Sequence, residues 1–158
     1  MDKIPSFNVN HLELLPGIYV SRKDYIGDYT LTTFDIRMTR PNFEPVLQTA
    51  EIHALEHMGA TFLRQHVVYG DQTIYFGPMG CRTGFYLILK GDLSSDSIVG
   101  LIKELFEHMA DYNAPLPGAS ARDCGNYLDM NLPMAKYEAR RFLDRIQNIS
   151  SAQLNYPD

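Results

Sequence analysis

The hydrophobic period of this chain changes from that of strands to that of a helix and back again, and this alternation limits the folds open to it. Residues 17–42, "GIYVSRKDYIGDYTLTTFDIRMTRPN", give two strands around a turn near Gly27 and Asp28. In the second, Phe34, Ile36 and Met38 alternate with Asp35 and Arg37, the period that one buried face imposes. Pro41 and Asn42 stop it. From about Leu47 to Gln65, Ala50, Ala54, Leu55, Met58, Phe62 and Leu63 fall at helical spacings. Residues 73–91, "TIYFGPMGCRTGFYLILKG", again give two strands, with Cys81 in the Gly/Pro turn between them. An amphipathic helix follows over 94–112, with Ser94 or Ser95 as its cap and Ile98, Leu101, Ile102, Leu105, Phe106 and Met109 as its apolar stripe. "NAPLPGAS" is a loop, and a final helix runs over about 135–148 with Ala139, Phe142, Leu143 and Ile146 facing inward. Strands that come both adjacent and separated by helices favour an α+β domain over a repeating βαβ unit, with an antiparallel sheet packed against a few helices.

A length of 158 residues predicts a single domain, 1–158, with residues 1–15 as an arm lying on it and 150–158 as a loose tail. With 45% hydrophobic and 21% charged residues the chain has the make-up of a globular protein, not a disordered one. The net charge of −5 and the lack of a basic run argue against a nucleic-acid partner. "MDKIPSFNVN" lacks the apolar core of a signal peptide and no stretch has the length of a membrane span, so the expectation is a cytoplasmic protein with no membrane partner. There the two cysteines, Cys81 and Cys124, are expected as free thiols.

Residues 51–60, "EIHALEHMGA", put polar groups into a helix that reads as buried. Positions i and i+4 share a helix face, so His53 and His57 can both address one metal ion. Glu56 lies at the flank of that face, where it can move a proton to or from a molecule polarised by the metal. A pair of hydrogen-bonded histidines at the edge of a core is the plainer reading. Two imidazoles leave a site incomplete, because a catalytic metal usually takes three protein ligands and keeps one position open. Cys124 in the polar, Gly-flanked "ARDCGNY" is the favoured third ligand, and its thiolate selects iron, zinc or cobalt over magnesium. His108 and His66 are weaker competitors.

Cys81 sits in a tight turn with Pro78, Gly80 and Gly84, which can present its thiol to a cleft. A thiolate there, near a cation or Arg82, is a usable base at neutral pH. A metal with two proton carriers, Glu56 and Cys81, fits isomerisation or elimination beside a carbonyl. The residues alone carry the reading no further.

"SFNVNH", "FDIRMTRPN", "HALEHMGATFLRQH", "GPMGCRTGFYLIL" and "DCGNY" follow one another in an order and spacing that resembles the S-ribosylhomocysteine lyase (LuxS) family. The resemblance implies that His53, His57 and Cys124 hold Fe²⁺, with Zn²⁺ or Co²⁺ as substitutes. It also implies that Glu56 and Cys81 are the general acid/base pair and that Ser6, His11 and Arg37 contact substrate. By position alone Arg37 would be a solvated charge and Ser6 and His11 arm residues without a role. The implied reaction cleaves S-ribosylhomocysteine to homocysteine and 4,5-dihydroxy-2,3-pentanedione, a quorum-signal precursor, with no organic cofactor. The implied assembly is a homodimer with active sites at its interface. Two positions depart from the family's habit: Thr33 stands before Phe34 in place of a lysine, and aromatic residues such as Tyr75 precede the Cys81 turn in place of an acid. The rival functions are a small metallopeptidase, which leaves both cysteines idle, and a non-catalytic metal-binding module, which requires a fourth protein ligand.

Overall fold

The computed structural model describes residues 4–157, the side chains of residues 5 and 6 excepted. Strands β1 (Gly17–Ile26) and β2 (Tyr29–Arg37) form the expected hairpin, and Gly27 turns the chain at φ 58°, where a side chain would be strained. Strands β3 (Thr73–Pro78) and β4 (Gly84–Lys90) form a second hairpin. The two join through β2 and β4 into one sheet of order β1-β2-β4-β3, antiparallel throughout. Cross-strand rows Ile18–Ile36–Phe85 and Val20–Phe34–Leu87–Phe76 line one face, as the alternation in β2 predicts. Three long helices cover that face: α2 (Thr49–Gln65), α3 (Val99–Ala110) and α4 (Leu132–Ile146), with a short turn α1 (Pro5–Asn8) preceding the sheet. Phe106 meets Phe142 edge to face at 4.6 Å and locks α3 to α4. Among the described residues no helix is long and apolar enough to cross a membrane.

The helix ends shift from their expected places for local reasons. Glu51 accepts from the Gln48 N–H at 2.5 Å, so α2 starts at Thr49 and not near Leu47. Ser94, not Ser95, accepts from the Ser97 N–H at 3.3 Å, capping a 3₁₀ turn that feeds α3. α4 begins three residues before the expected 135, because the Asn131 side chain accepts from the Met134 N–H and Pro133 fits a first helical turn.

The loose tail expected over 150–158 is a correction, for as far as residue 157 it is docked. A 3₁₀ turn, Ser151–Gln153, directs the Gln153 amide onto the carbonyls of Pro16 (3.0 Å) and Arg145 (3.1 Å), and Tyr156 stacks on the buried Tyr19. The segment's polar groups are tied to backbone carbonyls of the domain. The N-terminal arm is the converse case: Ile4, Phe7 and Leu12 are all more than half exposed.

α2 lies close to the sheet because of Gly59, where a Cβ would fall 2.4 Å from the Phe76 ring, itself stacked on Phe85. Alanine there improves helix propensity by about 1 kcal/mol, whereas overpacking costs about 1–3 kcal/mol. Gly59→Ala is therefore expected to lose up to about 2 kcal/mol in urea unfolding. A variant as stable as the parent would mean that the stacked rings yield.

Candidate metal centre

His53 and His57 lie one turn apart on α2 with ring centroids 4.8 Å apart, edge to face. Ala54, Leu55 and Met58 hold the opposite side of the helix in the core, so both imidazoles are left half-buried at its margin. Each ring is oriented through Nδ1, that of His53 by the Asp129 carbonyl at 3.0 Å and that of His57 by the Pro117 carbonyl at 2.7 Å. A carbonyl oxygen can only accept, so each Nδ1 carries the hydrogen and each Nε2 keeps a lone pair for a metal. Both carbonyls belong to the irregular segment between α3 and α4, which the Asn131 N–H fastens to the Ala50 carbonyl at 2.9 Å. Gly118 lets that segment close on the ring: its φ is +64° and a Cβ would lie 3.3 Å from His57 Nδ1.

The same segment supplies Cys124. A turn in which the Ser120 carbonyl accepts from the Cys124 N–H at 3.0 Å delivers the thiol, and Sγ lies 3.4 Å from His53 Nε2. The donor atoms of His53, His57 and Cys124 all fall within 4.8 Å of one another. Two nitrogens and a sulfur around a tetrahedral ion with bonds of about 2.0–2.3 Å would stand roughly 3.5 Å apart, so the group fits such an ion with little movement. A soft thiolate with two imidazoles suits iron, zinc or cobalt. Among the described residues three protein donors gather here and no fourth, which leaves a position open. His66 and His108 belong elsewhere: both rings pack on Phe62, and His66 Nε2 faces Glu104 at 3.2 Å.

Glu56 opens into a hollow of about 240 Å³ with His57, Ala60, Thr61, Pro117 and Gly118. Among the described residues no ion pair or hydrogen bond holds its carboxylate.

Cys81 sits on the turn joining β3 to β4. Met79 and Arg82 close that turn through backbone bonds to Gly84 and Met79, with Arg82 at φ 58°. A Cβ on Gly84 would lie 2.1 Å from the Ile36 carbonyl, so only glycine lets the turn sit against β2. The Leu47 N–H donates to the Arg82 carbonyl at 3.0 Å, tying the turn to the start of α2. The Cys81 thiol is exposed, 3.1 Å from Thr83 Oγ1 and 3.8 Å from Arg37 Nη1. Arg37 is not the solvated charge that its position suggested, being 3% exposed and paired with Asp35 at 2.5 Å. Burial alone would lower the Arg37 pKa, but Asp35 overrides it and keeps the guanidinium charged.

His11 turns Nδ1 onto the Val9 carbonyl at 2.8 Å, and the Ser6 side chain lies outside the described residues. Thr33 and Tyr75, the two departures, line a shallow hollow on the open face of the sheet. Sequence reasoning missed Asp35, Thr83 and the two orienting carbonyls. An Asp-x-Arg pair on one face of a strand was the available signal for the first, whereas backbone carbonyls leave no sequence signal.

Comparison with known proteins shows the family. The family model described as S-ribosylhomocysteinase (LuxS) matches residues 4–153. Proteins named S-ribosylhomocysteine lyase from Clostridium acetobutylicum and Clostridium beijerinckii are 63% and 65% identical to this chain, and one from Finegoldia magna is 61% identical, each over the whole of both chains. Matched by that family model over nearly its whole length and by these relatives at 61–65% identity, this chain belongs to the S-ribosylhomocysteinase (LuxS) family.

Proposed function

We propose that this chain is a metal-dependent carbon–sulfur lyase that cleaves S-ribosylhomocysteine to homocysteine and 4,5-dihydroxy-2,3-pentanedione, the substrate being the one its relatives are named for. The observation that carries the reading is the open three-donor group with a carboxylate free beside it. A structural site would be closed by a fourth protein ligand, and a peptidase of this helix type would need a further carboxylate. The described residues bring neither into the group.

His53, His57 and Cys124 hold the metal, read as Fe²⁺ with Zn²⁺ or Co²⁺ as substitutes. Bound there, it supplies Lewis acidity to the oxygens of the open-chain sugar. Cys81 and Glu56 carry the protons. Each aldose–ketose step removes a proton from the carbon beside the carbonyl and returns one to the former carbonyl carbon. The hydroxyl proton on the first of these carbons passes to the former carbonyl oxygen, so two steps move the carbonyl from C1 to C3 with no net redox change. Glu56 then takes the C4 proton, and the electron pair left behind expels the homocysteine thiolate from C5. Arg37, Ser6 and His11 contact the substrate. The diketone is the precursor of a quorum signal, and homocysteine returns to the activated-methyl cycle.

The assembly proposed is a cytoplasmic homodimer with active sites at its interface and the N-terminal arm of one subunit reaching the site of the other. Two features support it. Leu31, Tyr86 and Ile88 are only half-buried around a hollow of about 340 Å³ on the uncovered sheet face. The arm holds Phe7 68% and Leu12 62% exposed, a cost in apolar hydration that a partner surface would remove.

Thiol release tests the function. Protein purified without oxygen and loaded with Fe²⁺ or Co²⁺ is expected to liberate free thiol from S-ribosylhomocysteine, and Glu56→Ala is expected to release almost none. No thiol from folded, metal-replete parent protein would overturn the substrate.

A further inference from the structure

The face of the sheet turned away from the three helices carries a buried polar relay that the metal centre does not explain. Asp35 lies in a cross-strand row between Tyr19 of β1 and Tyr86 of β4 and is 1% exposed. Its carboxylate takes Arg37 at two points, Nε to Oδ1 at 3.1 Å and Nη2 to Oδ2 at 2.5 Å. The remaining nitrogen, Nη1, donates to Thr83 Oγ1 at 2.6 Å and stands 3.8 Å from Cys81 Sγ. Tyr156 reaches in from the segment after α4. Its ring stacks on Tyr19 with centroids 4.9 Å apart, and its hydroxyl donates to Asp35 Oδ2 at 2.8 Å.

A buried arginine–aspartate pair adds little stability over an apolar filling of the same volume. What it does supply is direction, because the guanidinium is planar and two of its nitrogens are committed to one carboxylate. The direction is only as fixed as the carboxylate, and Tyr156 is the group that fastens the carboxylate from the far side.

We propose that Tyr156 is a positioning residue for the Cys81 proton carrier: its hydroxyl fastens Asp35, and Asp35 aims one nitrogen of Arg37 at the Cys81 sulfur. The inference rests on the acid/base role proposed for Cys81 above. Burial, reinforced by the Asp35 charge, pushes the Tyr156 phenol far above its ordinary range, so it stays a donor across neutral pH. Without the hydroxyl, Asp35 Oδ2 loses a donor and concentrates its charge on Arg37, leaving less of the guanidinium field for the sulfur.

The test is the rate at which iodoacetamide alkylates Cys81 in metal-loaded protein at neutral pH, resolved at that residue by peptide mass spectrometry. It compares the parent with Tyr156→Phe, which keeps the ring stack, and Tyr156→Ala, which does not. Because the reagent attacks the thiolate, Tyr156→Phe is expected to slow alkylation about three- to tenfold. Its thermal midpoint should stay near that of the parent, and kcat should fall more than KM rises. Alkylation of Tyr156→Phe at the parent rate would overturn the proposal. Slowing in Tyr156→Ala alone would also overturn it, by assigning the effect to ring packing. Failure of the underlying role is told apart by Cys81→Ala, which would then turn over normally whatever the alkylation rates show.

Discussion

Cys81→Ala is expected to keep its metal and lose turnover by about 10²–10⁴-fold, the usual worth of a positioned proton carrier. The thiol is exposed and among the described residues is bonded to Thr83 and Arg37, apart from the His53–His57–Cys124 group. Its loss therefore leaves the donors in place, and a surface substitution of this kind changes stability by roughly 0.5 kcal/mol or less. Metal content by elemental analysis and thiol release on the same sample make the comparison. The three readings of the site part here, since a structural metal site that used Cys81 would lose metal and a peptidase would be almost unaffected. Normal turnover with full metal would remove Cys81 from the mechanism.

Cys124→Ala is the second large effect and has the opposite signature, in which metal and turnover disappear together. The substitution removes the only sulfur donor of the group and leaves two imidazoles on one helix face. Loss of a direct ligand should weaken metal binding by more than the about 10–100-fold that loss of an outer hydrogen-bond partner costs. Added Fe²⁺ or Co²⁺ should restore stripped parent protein and fail to restore the variant. Because a metal that binds only the folded state stabilises it, the parent's thermal midpoint should rise with metal and the variant's should not. A variant that retains stoichiometric metal and turnover would exclude Cys124 as a ligand.

The strands were legible in the sequence because a buried face writes its period into every second residue, as Phe34 and Ile36 show by lying together in the core. The histidine pair was legible for the same local reason. Glu56 and Cys81 stood out in the sequence as candidate proton carriers from their company, but their surroundings did not. Arg37 is the clearest miss: its position on the polar side of β2 pointed to solvent, yet the turn after β3 and Tyr156 from beyond α4 bury it against Asp35. Alternation separates the two faces of a strand and says nothing about what covers the second one. The docked tail was missed similarly, since Gln153 and Tyr156 are held by partners that composition cannot display.

The sequence by itself determined the element types, the shared face of His53 and His57, and the turns near Gly27 and around Cys81. These depend on spacing along a few residues and on the conformations that side chains permit. Only the tertiary structure decided which nitrogen of each histidine keeps its lone pair free, that Cys124 and not His108 gathers with the pair, and that Arg37 stands 3.8 Å from Cys81. Those outcomes depend on groups distant in the chain, as when Pro117 orients His57 across 60 residues and Asp129 orients His53 across 76. Tyr156 meets Asp35 across 121. Hydrogen bonds and metal donors act over about 3 Å, so their partners exist only once the packing of distant segments has brought them together.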